Sequence, residues 1–225
     1  MTGGQVPVPM VLHTTMGAGR RSAAQHSQSL HAWFAHIPGL KVVMPATPYD
    51  VKGLIKSAIR YDGPVVFYDD KMSYRLKGPV PQEEYLIPLG VAEVKREGTD
   101  ITLVATSSMV YSALEAAGAL AKEGVSVEVV DPRTIQPLDM ETILASVRKT
   151  HRALVLDEGH RSFGASAEIA AEIAEKAFDY LDAPVKRYAA MDVPVPFSPA
   201  LEDLSIPNTA GFIALVPGPA TCSRT

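Results

Sequence analysis

The sequence has 225 residues and a net charge of -4, with 47% hydrophobic and 20% charged residues. That length and composition support the packed core of one large domain or two small ones, and the net negative charge argues against a nucleic-acid partner. No apolar run approaches the ~20 residues that span a bilayer. The opening MTGGQVPVP lacks a basic-then-apolar leader pattern. A single Cys222 excludes an internal disulfide and a cysteine-based metal site, so the expectation is a soluble intracellular protein.

In chain order, residues 6–14 (VPVPMVLHT) read as a strand, with Pro7 and Pro9 confining its start to an edge. The loop MGAGRR follows. Residues 23–36 suit a helix, because Leu30, Trp33, Phe34 and Ile37 recur at helical spacing. A short apolar strand is predicted over 40–44. The next helix has Thr47 as N-cap, Pro48 at its first position and Asp50 complementing the dipole. Val51, Leu54, Ile55, Ala58 and Ile59 form its apolar face. Asp62-Gly63-Pro64 ends it, and 65–68 is a buried-type strand, so short turns between strand, helix and strand predict a parallel sheet.

Residues 70–98 carry prolines at 79, 81 and 88 and no helical period, which marks a domain boundary, although 85–95 can supply a strand to the following domain. From Asp100 strands are predicted at 101–105, 125–130, 153–156 and 185–188. Helices between them start at Ser107 or Ser108, at Asp139 and at Ala165, the last running to Leu181. This alternation predicts a small doubly wound α/β domain. The division expected is 1–80, a linker 81–97, a second domain 98–208 and an atypical tail 209–225.

Ligands gather at the carboxyl ends of parallel strands, and here those ends carry MGAGRR, YDDKMSY, TSSMV, DPRTIQPL and DEGHRSFG. GAGRR can be read as a phosphate cradle of glycine amides with Arg20 and Arg21, or more commonly as a tight turn needing glycine. His26 lies among Gln25, Ser27 and Gln28, groups able to fix its tautomer. His31 and His36 are too poorly matched along a helix for a metal pair. Asp157 and Glu158 resemble paired acid–base carboxylates, but adjacent strand residues point apart, which favours a strand cap plus a solvated carboxylate.

The wording of 16–45, MGAGRRSAAQHSQSLHAWFAHIPGLKVVMP, with HTT before it and PATPYDVKGLIKSAI after it, says more than composition does. It resembles the β subunit of the thiamine-diphosphate-dependent E1 component of 2-oxoacid dehydrogenase complexes, in the manner of pyruvate and acetoin dehydrogenases, over about residues 1–208. The resemblance implies a transketolase-type pyrimidine domain followed by a transketolase C-terminal-like domain. It implies thiamine diphosphate shared with an α chain, magnesium on that α chain, and a heterotetramer with a second β chain. It further implies acyl transfer to the lipoyl group of the E2 acyltransferase, in the bacterial cytoplasm or, alternatively, the mitochondrial matrix. His26 matches the active-site histidine, which moves protons at the substrate alkoxide and the dithiolane sulfur. The backbone carbonyls of Ala58, Ile59, Tyr61 and Gly63 match a potassium site, the alternative being an ordinary helix end.

Two departures from the family pattern are expected to matter. The family's earlier portion, with the glutamate that activates the pyrimidine ring, is absent ahead of Met1, and TAGFIALVPGPATCSRT replaces a final amphipathic helix. The expectation is a partial β chain, inactive alone. The alternatives are a non-catalytic docking fragment for E2 and another transketolase-family thiamine enzyme.

Overall fold

The computed structural model describes residues 5–216; Met1, Cys222 and the rest of 217–225 lie outside them. The first half builds a sheet of β1 (Val11–Met16), β2 (Lys41–Val43) and β3 (Val65–Asp70), in the order β1-β3-β2 and all parallel. The predicted strand at 6–14 begins only at Val11, beyond Pro7 and Pro9, whose missing amides cannot join a ladder.

The single helix expected over 23–36 is instead two short ones, α1 (Ala23–His26) and α2 (His31–Ala35). The interruption falls at a serine- and glutamine-rich step whose side chains compete for the backbone. It rotates α2 so that His31 is buried while Trp33 stays 70% exposed. The helix α3 (Pro48–Ile59) forms as expected: Thr47 and Asp50 make a reciprocal capping box. Leu54 and Ala58 are buried, but Ile59, read as part of the apolar face, is 65% exposed at the last turn.

The sides of β3 alternate as a strand dictates. Val65 and Phe67 pack with Val43, Leu54, Ala58 and Ile87, whereas Val66 and Tyr68 pack with Met16, Val42, Met44 and Ile135. Ile87 comes from the stretch read as a linker, and its side chain is buried in this cluster.

The second sheet has the order β4-β6-β5-β8-β9, formed by β4 (Glu93–Arg96), β5 (Ile101–Ala105), β6 (Val127–Asp131), β8 (Ala153–His160) and β9 (Lys186–Ala190). All pairs are parallel except β4 with β6. Helices α4 (Met109–Lys122), α5 (Met140–Thr150) and α6 (Ala165–Lys176) cover its faces. Asp139 caps α5 by accepting from the Thr142 amide. Ser108 does not cap α4; its hydroxyl donates to Asp70 instead, at 2.9 Å. Helix α6 stops at Lys176, short of Leu181, and a 3-10 turn over Phe178–Tyr180 follows.

Two elements contradict the local reading. Within DPRTIQPL, read as a strand-end loop, β7 (Thr134–Gln136) leaves the second sheet and pairs antiparallel with β2, becoming the fourth strand of the first sheet. Beyond α7 (Pro199–Ser205), the segment expected to be broken by Gly211 folds into α8 (Thr209–Ile213), capped by Asn208 and burying Phe212 against the α4 core. Gly211 fits there because a Cβ would collide with the Tyr188 hydroxyl.

Candidate functional site

The carboxyl ends of β1 and β3 lie side by side, with Met16 paired to Asp70. From Met16 the chain turns through Gly17 and Gly19, both with left-handed φ (99° and 89°). Gly17 is fixed by space as well: a Cβ would sit 2.6 Å from Asp70 Oδ2 and 3.1 Å from Glu158 Oε2. The loop amides point at carboxylates of the second half. Ala18 N donates to Glu158 Oε1 (2.7 Å), Gly19 N to Glu202 Oε1 (2.8 Å) and Arg21 N to Glu202 Oε2 (3.2 Å). The glycine loop therefore does gather carboxyl groups, but they are side chains of its own chain, which answers the phosphate reading of GAGRR. Arg20 and Arg21 are committed as well. Arg20 donates to the Lys71 carbonyl and lies over the Tyr74 ring, and Arg21 pairs with Glu202 (2.9 Å) and Asp203 (2.6 Å).

His26 ends α1, exposed, and its carbonyl accepts from Lys71 Nζ. Lys71 in turn donates its amide to the Met16 carbonyl at 3.1 Å, so His26 is pinned to the strand ends where chemistry is expected. Ser27, thought able to orient the imidazole, is buried with its hydroxyl unpartnered among the described residues, as is that of Ser29.

Asp157 and Glu158 point apart on β8, as expected, but both are buried, which corrects the solvated-carboxylate reading. The strand runs on past them to His160, so neither lies at an exposed end. Burial opposes ionisation of Asp157, but His31 Nε2 at 3.0 Å, the Thr106 hydroxyl at 2.9 Å and the Gly159 amide outweigh it and hold its pKa below the usual value. Glu158 meets the reverse: burial, the Asp70 carboxyl hydrogen-bonded to it and the charge of Asp157 push it well above the carboxylate range, against the Ala18 amide. Glu158 is thus the buried acid whose neighbours favour its neutral form.

Sequence reasoning missed His31, Glu158, Asp70 and Glu202 as a group. The local signals were weak, and each partner lies far along the chain.

A groove of about 1190 Å³ opens between α2 and the turn from β8 into α6, lined by Trp33, Phe34, Ile37, Ile135, Phe163 and Ile169. Phe163 is 97% exposed and has a left-handed φ of 57°. The residues matched to a potassium site lie elsewhere, before β3 rather than after it. There the Ala58 carbonyl accepts the amides of Arg60 and Tyr61, and the Lys41 ammonium sits 5.5 Å from the Tyr61 ring centroid. Among the described residues, no group of three or more His, Cys, Asp or Glu is placed to hold a metal, and no helix is long and apolar enough to cross a membrane.

Two mostly parallel α/β sheets in this order, each with one antiparallel edge pair, and a loop site at the strand ends define the class. Residues 1–77 match the transketolase pyrimidine binding domain and residues 90–211 the transketolase C-terminal domain, and the chain belongs to the transketolase family. Within it, the chain is 52% identical to the acetoin:2,6-dichlorophenolindophenol oxidoreductase subunit beta of Bacillus subtilis, over 96% of this chain and 63% of that protein. It is 49% identical to the human mitochondrial pyruvate dehydrogenase E1 component subunit beta, over 95% and 61%. Among solved structures, a split gene transketolase described as an inactive beta4 tetramer superposes with a TM-score of 0.77 at 26% identity, covering 92% of this chain and 65% of that one. The chain thus spans about three-fifths of the length of the curated relatives it matches. The resemblance to E1 β chains and the α/β fold class expected from sequence are both borne out.

Proposed function

We propose that this chain works as the β subunit of an E1 component, in the oxidative decarboxylation of pyruvate or a similar 2-oxo acid or the cleavage of acetoin, with the acyl unit passed to lipoyl-E2. The observation that carries the reading is His26, exposed at the carboxyl ends of β1 and β3 and tied there by Lys71, in a chain half identical to acetoin and pyruvate enzymes.

Thiamine diphosphate fits the site in part. The unpartnered buried hydroxyls of Ser27 and Ser29 beside His26 suit a polar ring. The two carboxylates at this strand end are already engaged, Asp69 with His13 (2.6 Å) and Asp70 with Ser108 and the Met72 amide, so no ring-activating carboxylate is assigned among them. When bound, the cofactor supplies the nucleophilic carbon and the electron sink for carbon–carbon cleavage. His26 contributes the proton at the substrate alkoxide oxygen and at the dithiolane sulfur.

Magnesium is proposed on an E1 α subunit, and potassium at the carbonyls of Ala58, Ile59, Tyr61 and Gly63, where the ion would have to displace one of the two amides, of Arg60 and Tyr61, that the Ala58 carbonyl accepts. A second β chain is proposed in the assembly, with the Trp33–Phe163 groove as the surface suited to a neighbouring subunit. Residues 1–80 are proposed as part of the pyrimidine domain and 98–208 as the C-terminal domain. The compartment proposed is the bacterial cytoplasm, with the mitochondrial matrix as alternative.

The test is His26→Ala in this chain purified with its α partner. Acyl transfer to lipoyl-E2 should fall by about a hundredfold, and the melting temperature should stay nearly unchanged because the imidazole buries little. Full turnover in a well-folded variant would end the proposal.

A further inference from the structure

We infer that Glu202, on α7 near the far end of the chain, is a positioning residue that sets the loop presenting His26. Its side chain is fully buried, yet every contact it makes with the loop runs across more than 180 positions of sequence. One oxygen accepts the Gly19 amide at 2.8 Å. The other accepts the Arg21 amide at 3.2 Å and the Arg21 guanidinium at 2.9 Å.

Bridging those two amides forces the loop into a conformation it would not otherwise hold. Arg21 and Ala23 both have a φ of 57°, where side chains with a Cβ are strained and persist only if the surroundings over-determine them. Ala23 is the first residue of α1, and His26 is the last. The direction in which α1 leaves the loop, and hence the place of the imidazole, is therefore decided at Glu202. The Met191 amide, just past β9, donates to the Ser205 carbonyl (2.9 Å), which ties the end of α7 to the second sheet and keeps it from yielding in place of the loop.

This deepens the proposed role of His26 and rests on it. A carboxylate that only stabilised the fold would change melting and leave the chemistry per folded molecule alone. A positioning residue must change both the order of the loop and the turnover number.

The experiment uses the chain with its α partner, as Glu202→Ala and Glu202→Gln. In Glu202→Ala the amides of Gly19 and Arg21 should exchange with solvent at least about tenfold faster. The imidazole NMR signal of His26 should broaden or split, and kcat should fall by about tenfold to a hundredfold with KM changed less than about twofold. Glu202→Gln keeps an acceptor oxygen for Gly19 and should recover most of both effects, and it stands in if the alanine variant does not fold. Unchanged exchange and unchanged kcat would overturn the inference. So would a freed loop with kcat intact, or a lowered kcat with the His26 signal and loop amides unmoved. His26→Ala in parallel separates the two readings. If that variant turns over normally the role of His26 has failed, and the exchange and NMR results alone then judge whether Glu202 sets the loop.

Discussion

Asp157 and Glu158 are consecutive residues on one strand, both buried, and their carboxyls are driven in opposite directions. On the Asp157 side β8 faces α2 and finds an imidazole; on the Glu158 side it faces the ends of β1 and β3 and finds another acid. Burial penalises both charges alike, so the sign of the neighbour decides. The same rule separates two aspartates at the second contact between the halves. Asp50 lies against Lys95 (2.8 Å) and Arg133 (2.9 Å) and is held below the usual range despite its burial. Asp131 has Lys95 only at 3.6 Å and Asp50 as a like-charged neighbour, and burial pushes it up to about 7. In both of these clusters a carboxyl held below the usual range therefore neighbours one pushed above it.

The strongest way to break this comparison is His31→Ala, which removes the imidazole and makes the two sides of β8 alike. Asp157 would keep its hydrogen bonds from Thr106 and Ser166 but lose the imidazole beside it. Leaving a buried charge uncompensated costs about 3–5 kcal/mol, so denaturant titration should show a large drop in midpoint. A drop below about 1 kcal/mol would mean that the hydrogen bonds alone hold Asp157.

A smaller effect sharpens the other side. Glu158 and Asp131 have folded pKa values above their unfolded ones, so the unfolded chain loses these protons first as pH rises. Stability is then full below the unfolded carboxylate range and declines through about pH 4 to 7 for Asp131, with Glu158 adding to the fall in the same direction. Asp157 and Asp50 have the opposite sign: their contribution is present above the unfolded pKa and lost as pH falls through the lowered one. The net expectation is a stability maximum on the acid side of neutrality. Glu158→Gln should flatten the fall toward neutral pH and raise stability at pH 7 relative to the parent chain. The amide can still accept from Ala18 and donate to Asp70 without a proton to lose. A fall toward neutral pH as steep as in the parent chain would show that Glu158 is ionised already.

These clusters also mark where reading the chain locally stops working. The helix α3 was legible down to its cap because Thr47, Pro48 and Asp50 act within one turn. The capping role of Asp139 was legible for the same reason. By contrast, β7 joins a sheet about ninety residues behind it in sequence, pairing Val42 with Gln136, and three residues of pattern cannot announce that. The His31–Asp157 pair spans 126 positions and the Gly19–Glu202 contact 183. His26 was found through the wording around it, whereas the carboxylates that shape its loop carry no such local mark.

The smallest expected change in the stability of the chain itself comes two residues beyond His31, at Trp33. The two share α2, but His31 is sealed against β8 and Trp33 stands 70% exposed at the groove. If the groove receives a neighbouring subunit, Trp33→Ser should shift the unfolding midpoint of the separate chain by no more than about 0.5 kcal/mol, the range for exposed positions. Its effect should appear in assembly instead. A large aromatic at the centre of an interface commonly carries 2 kcal/mol or more of binding, which is about a thirtyfold weakening. Sedimentation of the variant with its α partner, over a range of concentrations, reads that directly. Unaltered assembly together with unaltered stability would remove the groove from the proposed subunit surfaces. A large loss of stability in the separate chain would instead show that Trp33, like His31, belongs to the core.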